Sequence, residues 1–550
     1  MKTPKMMMSL IMFLLAISGI YAQNNMPIMQ TFKGHYGNSW FGERITAMDY
    51  NADGYDDLIL YSRKYGTNQL NAILFFFGSA QMDSIPDIVL QSQYPGQVNK
   101  GFFLNAGDVN GDGYDDFLTE KNWESSPDSC AMSFYYGGPD ADSEPDFEIV
   151  VRRTWGHTQI RPLSCIGDVN NDGYDDLGCS VWANDEYNGE FKLAILYGGT
   201  WELELLDDIV VSNQVLHNME PVGDVNGDGL DDFVAGFGAT INGEFNIYRY
   251  LYLGSNTFNV NDRILMYQVP YSSAGGQIFA AAYGIGDFNG DGYDDMVYCN
   301  GSSSWDNNKI RLGGTDIMMT EEFTAESYSA ANLLHLGSWQ KVAYGDFNGD
   351  GYSDLAGSDW RAFTWIGHAG IWLGKAIPNG MYDLRISSPP TSPFHQFGWQ
   401  LAAGDFNGDG FCDLAVSAPQ ADGSGNPWYT GYVYIFAGNA QLADTTVANE
   451  DPVLVPEQAG FGMRYYPNPQ AGDGSGISYE IEGKIPDLTT QATLTIHNIK
   501  GQLIKQIDVE ADQLRKGTGT ISTPRMNPGV YIISLWLNGT KTNSEKIVIK

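Results

Sequence analysis

A nine-residue pattern of oxygen-bearing side chains, repeated seven times, constrains this chain more than any other feature. In its second copy, Asp108 to Asp116, oxygen side chains stand at positions 1, 3, 5 and 9, and Gly113 stands at position 6. Ca²⁺ takes six to eight hard oxygen ligands, so alternate side chains and the carbonyl of position 7 must converge on one point. The glycine permits the sharp turn that this convergence needs. The pattern therefore predicts a calcium loop.

The copies begin 56 to 63 residues apart, and a nearly fixed period indicates one structural unit repeated around or along an axis. We predict up to seven bound Ca²⁺ ions, with positions 1, 3, 5, 7 and 9 of each copy as ligands and position 7 acting through its backbone carbonyl. The predicted ligands are Asp49, Asn51, Asp53, Tyr55, Asp57, Asp108, Asn110, Asp112, Tyr114, Asp116, Asp168, Asn170, Asp172, Tyr174, Asp176, Asp224, Asn226, Asp228, Leu230, Asp232, Asp287, Asn289, Asp291, Tyr293, Asp295, Asp346, Asn348, Asp350, Tyr352, Asp354, Asp405, Asn407, Asp409, Phe411 and Asp413.

An EF-hand would need a bidentate Glu at position 12 and a helix on each side of the loop. Position 12 carries no Glu in any copy, and the flanks, such as residues 57–61 and 413–417, are short apolar runs of strand length. The loops are therefore predicted to join strands. An ordinary Asp-Gly hairpin turn without metal is the alternative explanation.

The segments between loops share one order of elements. Each loop is followed by a short strand, a polar hairpin, a strand ending in glycine and an outer strand, which makes four strands with the one before the loop. Seven such units predict an all-β fold, a seven-bladed β-propeller over residues 23–440. The seventh unit lacks an outer strand after Gly438, so residues 27–32 are predicted to close the ring in its place.

Residues 397–419, from Phe397-Gly398 through the last loop to Pro419, resemble an FG-GAP repeat, the unit of integrin α-subunit propellers and of many bacterial surface proteins. The resemblance covers about residues 26–445, although at the corresponding place in the other repeats the Phe-Gly pair is kept only at 41–42. It implies seven blades, with the calcium loops joining the first and second strands on one face. In integrins only some blades bind calcium, whereas all seven loops here have the ligand pattern.

Both ends of the chain predict export. Residues 1–22 carry two lysines and then an apolar run, as a secretory signal peptide does. Residues 441–463 are typical of a linker, and residues 464–550 are predicted to form a small β-sandwich with strands at 492–498, 502–508 and 529–536. Tyr466-Pro-Asn-Pro469 and Lys546-Ile-Val-Ile-Lys550 make this tail similar to the carboxy-terminal sorting domain of the type IX secretion system of Bacteroidota. That resemblance implies the secretion machinery as a partner and a secreted or outer-membrane surface location; a sandwich-type binding module is the alternative.

The composition limits the classes of partner that this chain can bind. The formal net charge is −37 although 43% of the residues are hydrophobic, so nucleic acid is excluded as a partner and disorder is not expected. No later apolar run reaches eighteen residues, so the mature protein is predicted to have no transmembrane span. Cys165 and Cys179 flank the third loop symmetrically and form either one disulfide or two buried thiols.

The face opposite the loops is predicted to bind a glycan or protein ligand, because large flat rings among small polar residues suit recognition. The candidate residues are Trp123, Trp155, Trp182, Trp305, Trp360 and Trp428. Packing of these rings between blades is the alternative.

An enzymatic function is the second hypothesis. We assign the Asp-Asp doublets at loop positions 8 and 9 to calcium, which leaves no carboxylate pair for glycoside hydrolysis. Arg153, His157 and Arg161 share one loop and could neutralise a uronate and remove a proton, as in calcium-bearing propeller polysaccharide lyases of similar architecture. A polysaccharide lyase or hydrolase is therefore the alternative to a binding protein, and a structural role in a larger surface assembly is the third hypothesis.

Overall fold

A computed structural model shows a fold built from β-strands. The structure describes residues 26–92, 98–123, 126–152, 159–183, 190–211, 218–241, 244–270, 282–299, 308–318, 320–325, 342–360, 366–378, 380, 382–389, 396–421, 429–442, 462–466, 477–482, 492–498, 503–509, 518–521, 529–537 and 540–549. The predicted signal peptide and most of the predicted linker lie outside these residues.

The strands form seven blades of four antiparallel strands, as the loop period predicted. Blade one contains β2 (Ile45–Met48), β3 (Asp57–Tyr65), β4 (Leu70–Phe76) and β5 (Ile88–Gln91). Blade two contains β6 (Val98–Gly107), β7 (Asp116–Trp123), β8 (Ser126–Tyr135) and β9 (Phe147–Arg152), and blade three contains β10 (Gln159–Gly167), β11 (Asp176–Ala183), β12 (Glu190–Leu196) and β13 (Leu203–Val211). Blade four contains β14 (Asn218–Gly223), β15 (Asp232–Ile241), β16 (Glu244–Tyr252) and β17 (Arg263–Pro270). Blade five contains β18 (Ala282–Gly286), β19 (Asp295–Cys299), β20 (Asn308–Arg311) and β21 (Glu322–Thr324), and blade six contains β22 (Ala343–Gly345), β23 (Asp354–Asp359), β24 (His368–Trp372) and β25 (Leu384–Ser387).

Blade seven is completed by the amino-terminal strand. It contains β26 (Leu401–Gly404), β27 (Asp413–Ala418) and β28 (Tyr432–Phe436), and its outer strand is β1 (Ile28–Lys33). β1 pairs antiparallel with β28, with Phe32 opposite Val433. The predicted closure by residues 27–32 is therefore confirmed, and it leaves the seventh blade with the same four strands as the others.

The first strand of each blade lies nearest the axis, because first strands of neighbouring blades contact each other, as β10 contacts β14. Each first strand ends at a nine-residue loop that leads into the second strand, so all the loops lie on one face of the ring. We call this the loop face and the other the hairpin face. Between blades, apolar side chains pack in layers; Leu58 and Leu74 of blade one pack with Val433 of blade seven.

The chain divides into two compact units, with the boundary between Val447 and Ala448. The smaller unit contains a sheet of β29 (Gly462–Tyr466), β30 (Ile477–Glu482) and β33 (Thr518–Ile521). Its second sheet contains β31 (Ala492–Asn498), β32 (Leu503–Val509), β34 (Gly529–Leu537) and β35 (Thr540–Ile549). Of these strands β31, β32 and β34 were predicted, and their bounds agree with the predicted ones to within a residue. In the described parts of the chain, no helix has the length and apolar character needed to cross a membrane.

The strand pairing in the third blade distinguishes between one disulfide and two thiols for Cys165 and Cys179. β10 and β11 pair so that Cys165 faces Leu177 and Cys179 faces Pro162. The two cysteines are therefore not opposite each other, and both are free thiols. Burial raises the pKa of the Cys179 thiol, which keeps it protonated.

Candidate functional site

The seven loops connect the first strand to the second in every blade, and their backbones are held by their own side chains. In the second loop the Asp108 carboxylate accepts hydrogen bonds from the backbone N–H groups of Asp112 at 3.0 Å and Gly113 at 2.7 Å. Asn110 Oδ1 also accepts from the N–H of Asp112, at 2.8 Å. The same bonds recur in the first, third, fourth, sixth and seventh loops. Positions 1 and 3 therefore shape each loop before any ion is considered.

The aspartate at position 9 is fully buried in every loop and ties the loop to the third strand of its blade. Asp57 accepts a hydrogen bond from the N–H of Tyr50 at 3.1 Å and another from the N–H of Gly78 at 2.7 Å. Gly78 lies two residues after the end of the third strand, and a Cβ there would lie 2.3 Å from the carbonyl oxygen of Asp56. The glycine at this point of the repeat is thus required because the loop backbone approaches so closely.

The carboxylates of one loop repel each other. Burial raises the pKa of Asp57 to about 8, the hydrogen bonds from Gly78 and Tyr50 oppose the shift, and the charges of Asp53 and Asp49 add to it. Burial likewise raises the pKa of the position-9 carboxyl to about 7 or 8 in other loops: Asp116, Asp176, Asp232, Asp354 and Asp413. Ionising the position-9 carboxyl beside the other carboxylates of its loop is therefore costly at this partly dehydrated point.

The predicted ligands fit Ca²⁺ in their chemistry but are not arranged as a closed cage. Among the described residues, no group of three or more His, Cys, Asp or Glu side chains is placed to hold a metal ion. The oxygens at positions 1 and 3 accept from the loop's own N–H groups, as above. However, the predicted ligand atoms are hard oxygens, which Ca²⁺ prefers. A bound cation would also reduce the repulsion between the carboxylates of a loop. Calcium ligation by the loops stays a prediction.

The aspartate at position 8 has a role that differs from the one assigned above. Asp175 Oδ2 accepts a hydrogen bond from the N–H of Asp108, in the preceding blade, at 2.8 Å. The N–H of Asp175 donates in return to the carbonyl oxygen of Asp108 at 2.9 Å. The same side-chain bond joins Asp231 to Asp168, Asp294 to Asp224, and Asp56 to Asp405, the last across the ring closure. In these four cases position 8 therefore joins neighbouring blades, a role that the assignment of the doublet to calcium did not include. We call this contact the inter-blade clasp.

A glycine before each clasped loop makes room for the clasp. A Cβ on Gly107 would lie 2.1 Å from Asp175 Oδ2, and one on Gly223 would lie 2.1 Å from Asp294 Oδ2. In blade one this position is Met48, and the position-8 residue of the next blade, Asp115, instead accepts a hydrogen bond from Asn105 Nδ2 at 2.8 Å. The position-8 aspartate therefore forms the clasp only where a glycine directly precedes the loop of the preceding blade.

The hairpin face carries a cluster of aromatic rings between blades six, seven and one. Trp360 and Trp399 meet edge to face with ring centres 4.9 Å apart. Trp40 lies 6.5 Å from Trp399 and 6.0 Å from Tyr429. We call Trp40, Trp360, Trp399 and Tyr429 the aromatic cluster. Tyr429 is 39% exposed and the three tryptophans are partly exposed.

A buried Phe-Gly turn and an ion pair position this cluster. Trp40 directly precedes Phe41-Gly42 and Trp399 directly follows Phe397-Gly398, whose phenylalanines lie in the core. The Arg63 guanidinium lies 4.0 Å above the Trp40 ring and forms a two-pronged ion pair with Glu43. The carbonyl oxygen of Glu43 accepts from Trp399 Nε1 at 3.0 Å. The rings are thus fixed from two blades.

The structure shows only part of the predicted binding and catalytic residues. Trp360 belongs to the cluster; the side chains of Trp123 and Trp182 and the whole of Trp155, Trp305 and Trp428 lie outside the described residues. Arg153 and His157 also lie outside them, so only Arg161 of the three catalytic candidates is placed. Sequence analysis missed Trp40 and Trp399, although their position beside the two Phe-Gly pairs was a usable signal.

Comparisons with known proteins agree with both resemblances. Residues 397–436 match the FG-GAP repeat family, and residues 464–550 match the secretion system C-terminal sorting domain. The chain is 28% identical to integrin alpha-IIb of Mus musculus over 194 residues, which cover 32% of this chain and 17% of the integrin. It is 31% identical to integrin alpha-V of Gallus gallus over 167 residues, 28% of this chain and 15% of the integrin. It is 36% identical to phosphatidylinositol-glycan-specific phospholipase D of Mus musculus over 104 residues, 18% of this chain and 12% of the phospholipase. The matched part thus spans less than a fifth of each relative.

Proposed function

We propose, from a chain that combines an FG-GAP propeller with a secretion-system sorting domain, that this protein is an exported binding module that holds a glycan on its hairpin face. The sorting domain indicates export and a secreted or cell-surface location. The integrin similarity is consistent with a binding or adhesion role. The aromatic cluster is the observation on which the choice of a glycan rests.

The cluster suits a sugar because it offers flat apolar surface whose position is already fixed. The ring faces of a pyranose are apolar C–H surfaces, and they pack on indole rings with little loss of side-chain entropy. The Glu43–Arg63 pair and the hydrogen bond from Trp399 hold the rings before the ligand arrives. Such preorganisation lowers the entropic cost of binding. A protein ligand remains an outcome of the test below.

The loop face supports the same function from the other side of the ring. Calcium at positions 1, 3, 5, 7 and 9 would supply the positive charge that the loop carboxylates lack and would stiffen the connection between the first two strands. Because each loop also takes part in contacts between blades, a stiff loop keeps the first strands in place. The hairpin face then presents a fixed geometry.

Binding to an array of neutral and acidic glycans, using the full chain, tests the proposal. We expect a bound glycan whose affinity falls at least tenfold in Trp360→Ala and in Trp399→Ala. Trp201→Ala is the matched control, because Trp201 packs against Phe134 and Phe147 away from the cluster. Equal losses in all three variants, or binding of a protein partner with no glycan bound, would refute the glycan assignment.

A further inference from the structure

Two arginines approach one phenylalanine ring at the inner edge of the hairpin face. Arg44 directly precedes β2 of blade one, Arg161 lies on β10 of blade three, and Phe102 lies on β6 of the blade between them. The guanidinium carbons of Arg44 and Arg161 are each 5.8 Å from the centre of the Phe102 ring. All three residues lie on or beside first strands, which surround the axis. Arg44 and Arg161 lie at or near the strand ends remote from the loops.

The two guanidinium charges repel each other. Burial lowers the pKa of the Arg44 guanidinium, and the charge of Arg161 lowers it further. Glu43 is the carboxylate that opposes this effect, and it is already paired with Arg63. Of the ion pairs between described residues, none includes Arg44 or Arg161. Within the described part of a chain that carries 67 acidic and 30 basic residues, these two cations thus have no ion-pair partner.

Packing on Phe102 does not by itself explain the pair. A cation over an aromatic ring is only weakly stabilised at an exposed site, and either arginine alone would obtain that stabilisation. Bringing the second guanidinium to the same ring adds repulsion, which an anion bound by both arginines would reduce. A guanidinium also presents a planar fork of donors that matches a carboxylate.

The backbone around the pair is anchored. The carbonyl oxygen of Arg44 accepts a hydrogen bond from the N–H of Tyr61 at 3.0 Å, and that of Phe102 accepts from Thr119 Oγ1 at 2.8 Å. Arg161 is paired with Ser180 in the β10–β11 ladder. The stems of the three side chains therefore start from fixed positions on three blades.

The segment from Trp40 to Arg44 connects this pair to the aromatic cluster. Trp40 contributes a ring to the cluster and Arg44 contributes a charge to the pair, and four residues of chain span at most about 14 Å. A short oligosaccharide can therefore contact both. The ring in the cluster would provide apolar contact, and the arginines would provide charge recognition.

We propose that Arg44 and Arg161 bind the carboxylate of an acidic sugar, so that the glycan held on the hairpin face is a uronate-containing polysaccharide. This inference rests on the proposed function and specifies its ligand class. The role is recognition of the carboxylate, with no bond made or broken.

Calorimetric titration of the full chain with oligogalacturonate and with its methyl ester, matched in length, tests the inference. We expect the acid form to bind at least tenfold more tightly than the ester at low salt, and this preference to fall in 0.5 M salt because charge pairing is screened. Arg44→Gln/Arg161→Gln should abolish the preference. The single variant Arg161→Gln, at an exposed residue, should reduce it if the double variant does not fold.

The double variant Lys309→Gln/Lys375→Gln is the matched control, because it removes two positive charges elsewhere and should keep the preference. Lys309 and Lys375 lie in blades five and six and pair with Glu322 and Asp383. Equal binding of acid and ester that is lost in Trp399→Ala would overturn the arginine assignment and leave glycan binding intact. If neither oligomer binds, the arginine assignment is also overturned. The glycan array then tests separately whether the hairpin face binds a glycan at all. Binding of poly-glutamate instead of oligogalacturonate through the two arginines would overturn the choice of a sugar.

Discussion

Replacing Gly107 by alanine should break the inter-blade clasp between blades two and three. Gly107 has φ of +70°, where an alanine costs about 1–2 kcal/mol of backbone strain. Its new Cβ would lie 2.1 Å from Asp175 Oδ2, so the carboxylate must leave and the N–H of Asp108 loses its acceptor. A hydrogen bond to a charged group contributes about 1.5–3 kcal/mol. We expect the free energy of unfolding to fall by about 2.5–5 kcal/mol.

Gly113→Ala separates the two causes. Gly113 lies in the same loop at φ of +91°, and a Cβ there would have nothing within 4 Å. In this variant only backbone strain should lower the free energy of unfolding, by about 1–2 kcal/mol. Urea titrations with a metal chelator in both samples should therefore place Gly107→Ala about 1.5–3 kcal/mol below Gly113→Ala.

A double-mutant cycle with Asp175→Ala completes the test. Removing the carboxylate first takes away the bond and the clash with Asp175, and leaves the 2.8 Å approach of the new Cβ to Cys165 Sγ. Gly107→Ala should then cost less than it does in the wild-type background. The two substitutions should therefore be less than additive, as expected for groups in contact. Equal effects of Gly107→Ala and Gly113→Ala in the wild-type background would refute the clasp.

Three further predictions concern metal, export and pH. Dialysed protein should take up Ca²⁺, and chelation should lower the melting temperature, since a site filled at 100 times its Kd contributes about 2.7 kcal/mol; unchanged melting would contradict calcium ligation. Deleting residues 464–550 should abolish appearance of the protein in the medium or on the cell surface, measured by fractionation against the full chain, and normal export of the truncated chain would contradict the sorting role. Burial and the nearby Arg385 lower the pKa of His368 from 6.5 to about 3, so folded protein keeps it neutral while unfolded protein takes up a proton as pH falls below 6.5. Wild type should therefore lose about 2 kcal/mol more than His368→Gln between pH 7 and pH 5, and parallel stability curves would contradict this.

The sequence was sufficient for the ring because its requirements are local and repeated. Each loop needs oxygen side chains and a glycine at set positions, and each first and second strand flanks a loop, so the pattern is visible in nine adjacent residues. The number of loop copies gave the number of blades. The missing outer strand after Gly438 indicated that residues 27–32 provide the outer strand of the seventh blade. Three of the tail strands, β31, β32 and β34, were predictable for the same reason, since the apolar pattern of a strand is contained in its own residues.

The tertiary structure decided which residues meet across blades. The role of Asp175 was not visible in the sequence, because its partner Asp108 is 67 positions away and the doublet looks the same whichever aspartate faces an ion. Trp40 and Trp399 come together only because β1 closes the ring beside β28. Arg44 and Arg161 meet at Phe102 because first strands converge on the axis. Local pattern specifies backbone conformation, whereas contacts between distant segments depend on the tilt and spacing of whole blades, which no short stretch of sequence encodes.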